Sequence, residues 1–135
     1  MTLLTASGIQ TIYGSGCSEC LNTTGDLAGT NQCPHCGSVV ACADADLSVK
    51  SGEVLGIVGE SGSGKSSLAE TLALEHDPEA MTAGEVAYAG YDGNLLDIDY
   101  QTRHALRTGD IAFVHQHIRD GLDLDFTGGG NVAEK

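Results

Sequence analysis

Positive charge is scarce in this sequence. Against 19 Asp and Glu side chains stand 6 Lys and Arg, giving a formal net charge of −13 and a pI near 4.4. A field of that sign repels polyanions and speaks against nucleic acid or anionic membrane as a direct partner. The acids are scattered rather than gathered into a tail, as on a solvated surface. Two readings of that surface stay open: adaptation to high salt, which would screen the self-repulsion, and ordinary acidity. Tryptophan is absent and aromatic residues make up 4%, so any core must be built from Val, Ile, Leu and Ala. No apolar run approaches the roughly 20 residues needed to span a bilayer. The basic-then-apolar opening of a secretory signal is also missing, and a cytoplasmic location is expected. The 135 residues suffice for one domain with a real core, and they contain no internal repeat.

Against this background one stretch stands out: Gly59-Glu60-Ser61-Gly62-Ser63-Gly64-Lys65-Ser66. It fits G-x-x-x-x-G-K-[ST], the phosphate-binding P-loop, at every fixed position. The apolar run 54–58 before it predicts a buried strand, and residues 67–74 after it predict a helix. A chance glycine-rich turn would lack that strand–loop–helix context. The glycines let the backbone turn its N–H groups inward as a nest for phosphate oxygens, and the helix start adds its positive end. Lys65, one of three lysines, would reach the β/γ-phosphates. The Ser66 hydroxyl would take one place on Mg²⁺, with Ser67 completing the cradle. A nucleoside triphosphate is the expected ligand.

Taken in order, residues 3–13 predict a first strand and residues 39–49 a second. A turn at 50–52 leads into a strand over 53–58. His76-Asp77-Pro78 ends the helical pattern. A short strand is expected at 84–88, a turn at 89–93, a helix over 100–108 with Leu106 inward, and a buried strand at 111–114. A glycine-rich loop at 127–131 and an incipient helix at 132–135 follow.

Residues 14–38 differ in character, being rich in Gly, Ser, Thr, Asn and Cys. They hold four of the five cysteines, as Cys17-x-x-Cys20 and Cys33-x-x-Cys36, with twelve residues between the pairs. That is zinc-ribbon spacing, and four thiolates make a closed, structural tetrahedral site. Metal binding would supply order that this composition cannot. A disulfide pair is disfavoured in a cytosolic chain, and redox C-x-x-C motifs usually occur singly. His35, inside one knuckle, is a competing ligand. Cys42 is expected to be a small buried hydrophobe.

The order strand, turn, GEVLGIVGESGSGKSSL, strand, IAFVHQ resembles the nucleotide-binding domain of ABC-type ATPases. The resemblance implies an α/β fold: a P-loop core with an antiparallel β portion, and residues 14–38 inserted as a four-cysteine zinc knuckle. It implies that Tyr13 stacks on adenine. It also implies that Gln116 is the glutamine that contacts Mg²⁺ and the attacking water. The stretch VHQHIRDGLDLDFTGGGNVAEK looks like the ATP-binding subunits of carbon–phosphorus lyase systems, which degrade phosphonates. His115 and His117 flank Gln116 there, and simple packing beside the glutamine is the preferred role for both. The resemblance covers nearly the whole chain but only about the first half of such a domain. The signature loop, Walker B carboxylates and switch histidine have no counterpart among residues 1–135. The residues present are therefore expected to bind ATP without hydrolysing it. In the family, partners would be a second ATPase subunit and soluble lyase subunits. The alternatives are the ATP-binding subunit of an importer for phosphonate, peptide or metal, with a membrane permease as partner, or a non-catalytic fragment.

Overall fold

A computed structural model describes residues 1–117 of the chain. Two compact units are present, Met1–Ile98 and a second that begins at Asp99. The first is organised on a three-stranded antiparallel sheet in the order β2-β1-β3. Strand β1 (Thr2–Tyr13) is central. It pairs with β2 (Val39–Lys50), Tyr13 opposite Val39 and Thr2 opposite Lys50. On its other side β3 (Met81–Tyr88) sets Ile12 opposite Met81 and Leu4 opposite Tyr88.

The expected first two strands are therefore present almost to the residue, and the third begins three residues earlier than predicted. Burial explains why the alternation was legible. Ala6 and Ile9 of β1 and Val86 of β3 are buried, while Ile12 of β1 and Val40 of β2 are buried in a separate cluster with Cys20 and Cys33. Gly8 interrupts β1 at φ 59°, within a register shift between Ala6 and Ile9. The strands approach closely there: a Cβ on Gly84 would come within 2.6 Å of the Gly8 carbonyl oxygen. Glycine is thus required at a bulge that lies between β1 and β3.

Helix α1 (Lys65–Leu72) begins at the P-loop lysine, as expected. It stops four residues before His76, the first residue of the predicted stop signal. Its end is a Schellman turn, with Glu75 N donating to Glu70 O (2.8 Å) and Leu74 N to Thr71 O (3.2 Å). Leu74 takes the left-handed position (φ 62°) that glycine usually fills, and its side chain is buried. Burial of the side chain offsets the backbone strain.

The free edge of β3 is covered by Asn94. Its Oδ1 accepts from Val86 N (2.9 Å) and Leu96 N (3.1 Å), and its Nδ2 donates to Gly84 O (3.0 Å). One side chain thus takes the place of a neighbouring strand. A single 3₁₀ turn, Leu95–Asp97, follows with Leu95 buried.

Two expected strands are not formed. Residues 53–58 are irregular and exposed, with Val54 95% and Val58 93% accessible. Apolarity alone does not make a strand; backbone N–H and C=O groups need a paired neighbour. Among the described residues no strand lies beside 53–58. Residues 111–114 are likewise irregular, and Val114 is 90% exposed.

In the second unit, helix α2 (Tyr100–Gly109) matches its prediction, and Leu106 is buried. Asp99 caps it by accepting from Thr102 N at 2.7 Å. That N–H and the Thr102 hydroxyl hold the Asp99 carboxyl below its usual range. The expectations for residues 127–131 and 132–135, and the lyase-like stretch from residue 118 onward, lie outside the described residues.

Candidate phosphate loop and cysteine cluster

Residues 59–63 form an exposed loop that leads through half-buried Gly64 into α1. Gly64 is the N-cap, in the left-handed region at φ 88°, and no side chain caps the helix. The first-turn N–H groups of a helix have no internal partners, so this end offers donors and a partial positive charge. A Cβ on Gly64 would overlap the carbonyl oxygen of Ala41 in β2. Glycine is needed there both for φ and for that approach. Lys65 folds back over the loop, its Nζ donating to Gly59 O (2.8 Å), Glu60 O and Ser63 Oγ (3.1 Å). The cation therefore sits at the loop's inner side, held only by groups of the loop itself. Ser66 is exposed at the helix start.

Tyr13 and Ser67, assigned separately to the ligand site, meet: the Tyr13 hydroxyl donates to Ser67 Oγ at 3.2 Å. This brings the end of β1 to the first turn of α1. Gln116, by contrast, belongs to the second unit, exposed in a bend. Its neighbour His115 packs edge-on against Phe113, ring centroids 4.9 Å apart, in accord with a packing role.

The four cysteines of residues 17–36 converge. Sγ–Sγ distances are 3.7 Å for Cys17–Cys20, 3.7 Å for Cys17–Cys33 and 3.4 Å for Cys20–Cys36, and all four sulfurs lie within 4.8 Å of one another. Sulfurs bound tetrahedrally to zinc at about 2.3 Å lie about 3.8 Å apart, so the spacing suits such an ion. All four are free thiols. His35 is not part of the cluster.

The thiols are not equivalent. Burial pushes the Cys20 thiol up to about 12. Burial also acts to raise Cys33, but the backbone N–H groups of Cys36 and His35 and the Thr23 hydroxyl outweigh it and bring it to about 6. The Ser38 hydroxyl and backbone N–H lower Cys36. These donors are the ones a thiolate ligand set requires. Cys42 stands apart, half-buried, its thiol donating to Ile9 O (3.6 Å), and burial raises it.

The phosphate loop and the residues between the two cysteine pairs share a cleft that sequence reasoning missed. A cavity of about 910 Å³ has the phosphate loop with Lys65 and Leu68 on one side and β2 beneath. Leu21, Thr24, Asp26 and Asn31 of the cysteine segment close another side. No spacing rule links residues 21–31 to residues 59–65; the antiparallel turn from β1 to β2 does. Among the described residues no helix is long and apolar enough to cross a membrane.

Comparison with known proteins agrees with this geometry. A family model described as ABC transporter matches residues 42–131. The chain is 37% identical over 93 residues to the putative phosphonates utilization ATP-binding protein PhnK of Escherichia coli (strain K12), covering 69% of this chain and 35% of that one. It is 42% identical over 80 residues to the lipoprotein-releasing system ATP-binding protein LolD of Maricaulis maris, covering 59% and 33%. It is 41% identical over 83 residues to the methionine import ATP-binding protein MetN of Cupriavidus metallidurans, covering 60% and 22%. The chain thus spans about a third or less of the length of these relatives. No solved structure matches it significantly.

Proposed function

This chain belongs to the ABC transporter family, and we propose that its loop 59–66 binds the phosphates of Mg²⁺-ATP for the ATPase subunit of a phosphonate-degrading lyase system. The observation that carries the nucleotide reading is Lys65 at the inner side of a glycine loop that opens α1. On binding, Lys65 exchanges its loop carbonyl acceptors for phosphate oxygens, a stronger charge-assisted pairing. The amides of Gly59, Glu60, Ser61, Gly62, Ser63 and Gly64 and the first turn of α1 take the remaining oxygens. Ser66 supplies a hydroxyl to Mg²⁺, Ser67 lies beside it, and the ring of Tyr13 offers a face for adenine. The metal, when bound, neutralises charge between the β- and γ-phosphates. In the whole protein Gln116 would contact the metal and orient the attacking water, with a second ATPase subunit completing the site.

Similarity to PhnK and the His115-Gln116-His117 wording support the phosphonate setting, with soluble lyase subunits as partners in the cytoplasm. Similarity to LolD and MetN favours the second reading, the ATP-binding subunit of a transporter seated on a membrane permease. Zinc is the ion best suited to the cysteine cluster, in a structural role. Equilibrium ATP binding, with and without Lys65→Ala, tests the nucleotide reading; no measurable binding by the unaltered chain would overturn it. Co-purification with lyase subunits or with a permease separates the two settings.

A further inference from the structure

We infer that the cysteine segment is part of the nucleotide site: it forms the base-and-ribose wall of the cleft, and zinc occupancy of Cys17, Cys20, Cys33 and Cys36 sets whether that wall stands. This inference rests on the nucleotide and zinc readings above.

Three observations lead to it. The first is the shared cleft, in which residues 21–31 face the loop 59–65. The second is the chemistry of that wall. Leu21, Thr24, Asp26 and Asn31 include no cation and one carboxylate. Such a surface offers no cation to pair with phosphates, a pairing that Lys65 and the loop amides supply. It can receive an apolar ring and hydroxyls, as a purine and its ribose offer. The third is how the wall is fixed. Cys20 and Cys33 are fully buried in one small cluster with Ile12 of β1 and Val40 of β2, and Cys36 packs against it. Ile12 adjoins Tyr13, and Val40 itself lines the cleft.

The rest of the segment is held by short-range hydrogen bonds, such as those of the Thr23 and Thr24 hydroxyls to Glu19 O and Cys20 O, each at 2.7 Å. Cys33 N donates to Ser38 O, and Val40 N to Asn31 O, each at 2.8 Å. The tip that bridges Gly25 and Thr30 is exposed. Removing the ion takes away the bonds that would tie Cys17 and Cys20 to Cys33 and Cys36, leaving the small buried cluster and short-range hydrogen bonds to hold residues 17–36. Disorder in the wall then adds an ordering cost to nucleotide binding.

The test uses the whole chain and two ligands, MgATP and inorganic triphosphate, each titrated with Mg²⁺ in excess so that neither strips zinc. Zinc-loaded protein is compared with chelator-stripped protein and with zinc-loaded Leu21→Asp. Leu21 is already 44% exposed, so the fold should tolerate that change. Either change should weaken MgATP by about tenfold, within the usual span of site–site coupling, and leave triphosphate within about twofold. By reciprocity, MgATP should tighten zinc against a competing chelator by the factor that zinc tightens MgATP. MgATP affinity unmoved by either change overturns the inference, as does triphosphate falling in parallel with MgATP. Protein that binds ATP but holds no stoichiometric zinc overturns the zinc reading and this inference with it. Protein that holds zinc but binds neither ligand overturns the nucleotide reading instead.

Discussion

The hydroxyls of Thr11 and Thr71, both fully buried, lie 2.9 Å apart and join the central strand to the helix that opens from the phosphate loop. Thr71 Oγ1 also donates to Ser67 O at 2.8 Å, so Thr11 is the donor between the two threonines. Two residues along β1, Tyr13 reaches Ser67 Oγ. A short polar ladder therefore joins the first two turns of α1 to the end of β1.

Thr71→Val keeps the shape and removes the hydroxyl, leaving the buried Thr11 hydroxyl without that acceptor. Stability should fall by about 1–3 kcal/mol, read as a lower urea midpoint at unchanged slope. Adding Thr11→Val should cost less than the sum of the two single changes, since both act on one bond.

Lys65→Ala should abolish measurable binding of both ATP and inorganic triphosphate. The Lys65 side-chain bonds all go to its own exposed loop, so unfolding should shift by no more than about 0.5 kcal/mol. Tyr13→Ala should weaken ATP more than triphosphate, because the ring is proposed to face the base while the hydroxyl only steadies Ser67. Isothermal titration with the two ligands separates these outcomes.

Gly64→Ala should lose phosphate binding by a different route. The new methyl would overlap the Ala41 carbonyl oxygen, and the residue is held at φ 88°. The loop must then leave β2. A loss of hydrogen-exchange protection in α1, beside the loss of ligand binding, is the expected signature.

Zinc should be retained at neutral pH and released on acidification. Each thiol must give up its proton to ligate, and Cys20, held up near 12 without metal, is the first to compete for it as pH falls. Affinity for zinc therefore drops with falling pH, whereas a disulfide pair would show no such dependence. Elemental analysis after dialysis across a pH series reads this directly. Cys20→Ser should lower zinc content at every pH.

Leu74→Gly should destabilise despite relieving a left-handed leucine. Removing the strain returns about 1 kcal/mol, but emptying a buried leucine site costs about 2–5 kcal/mol. A rise in thermal midpoint would show that burial is not what holds that residue in place.

Several elements were legible without coordinates because local rules sufficed. The alternation of β1 and β2, the start of α1 at Lys65, and the paired C-x-x-C knuckles each depend on residues near one another in the chain. The two unformed strands failed for one reason: residues 53–58 and 111–114 are apolar enough for strands, but a strand also needs a neighbour in register. Asn94 covering β3 and Leu74 ending α1 left no signal, since each depends on contacts with residues distant from any motif.

By itself the sequence determined that a glycine loop opens a helix at Lys65 and that two C-x-x-C pairs flank one short segment, because glycine, lysine and cysteine at fixed spacing are local. It also determined that Tyr13 ends a strand. Only the tertiary structure decided that Tyr13 meets Ser67, that Thr11 meets Thr71, and that the cysteine segment faces Lys65 across one cleft. Those relations span tens of residues, and they arise because the β1–β2 turn folds the insertion back over the sheet beside the loop.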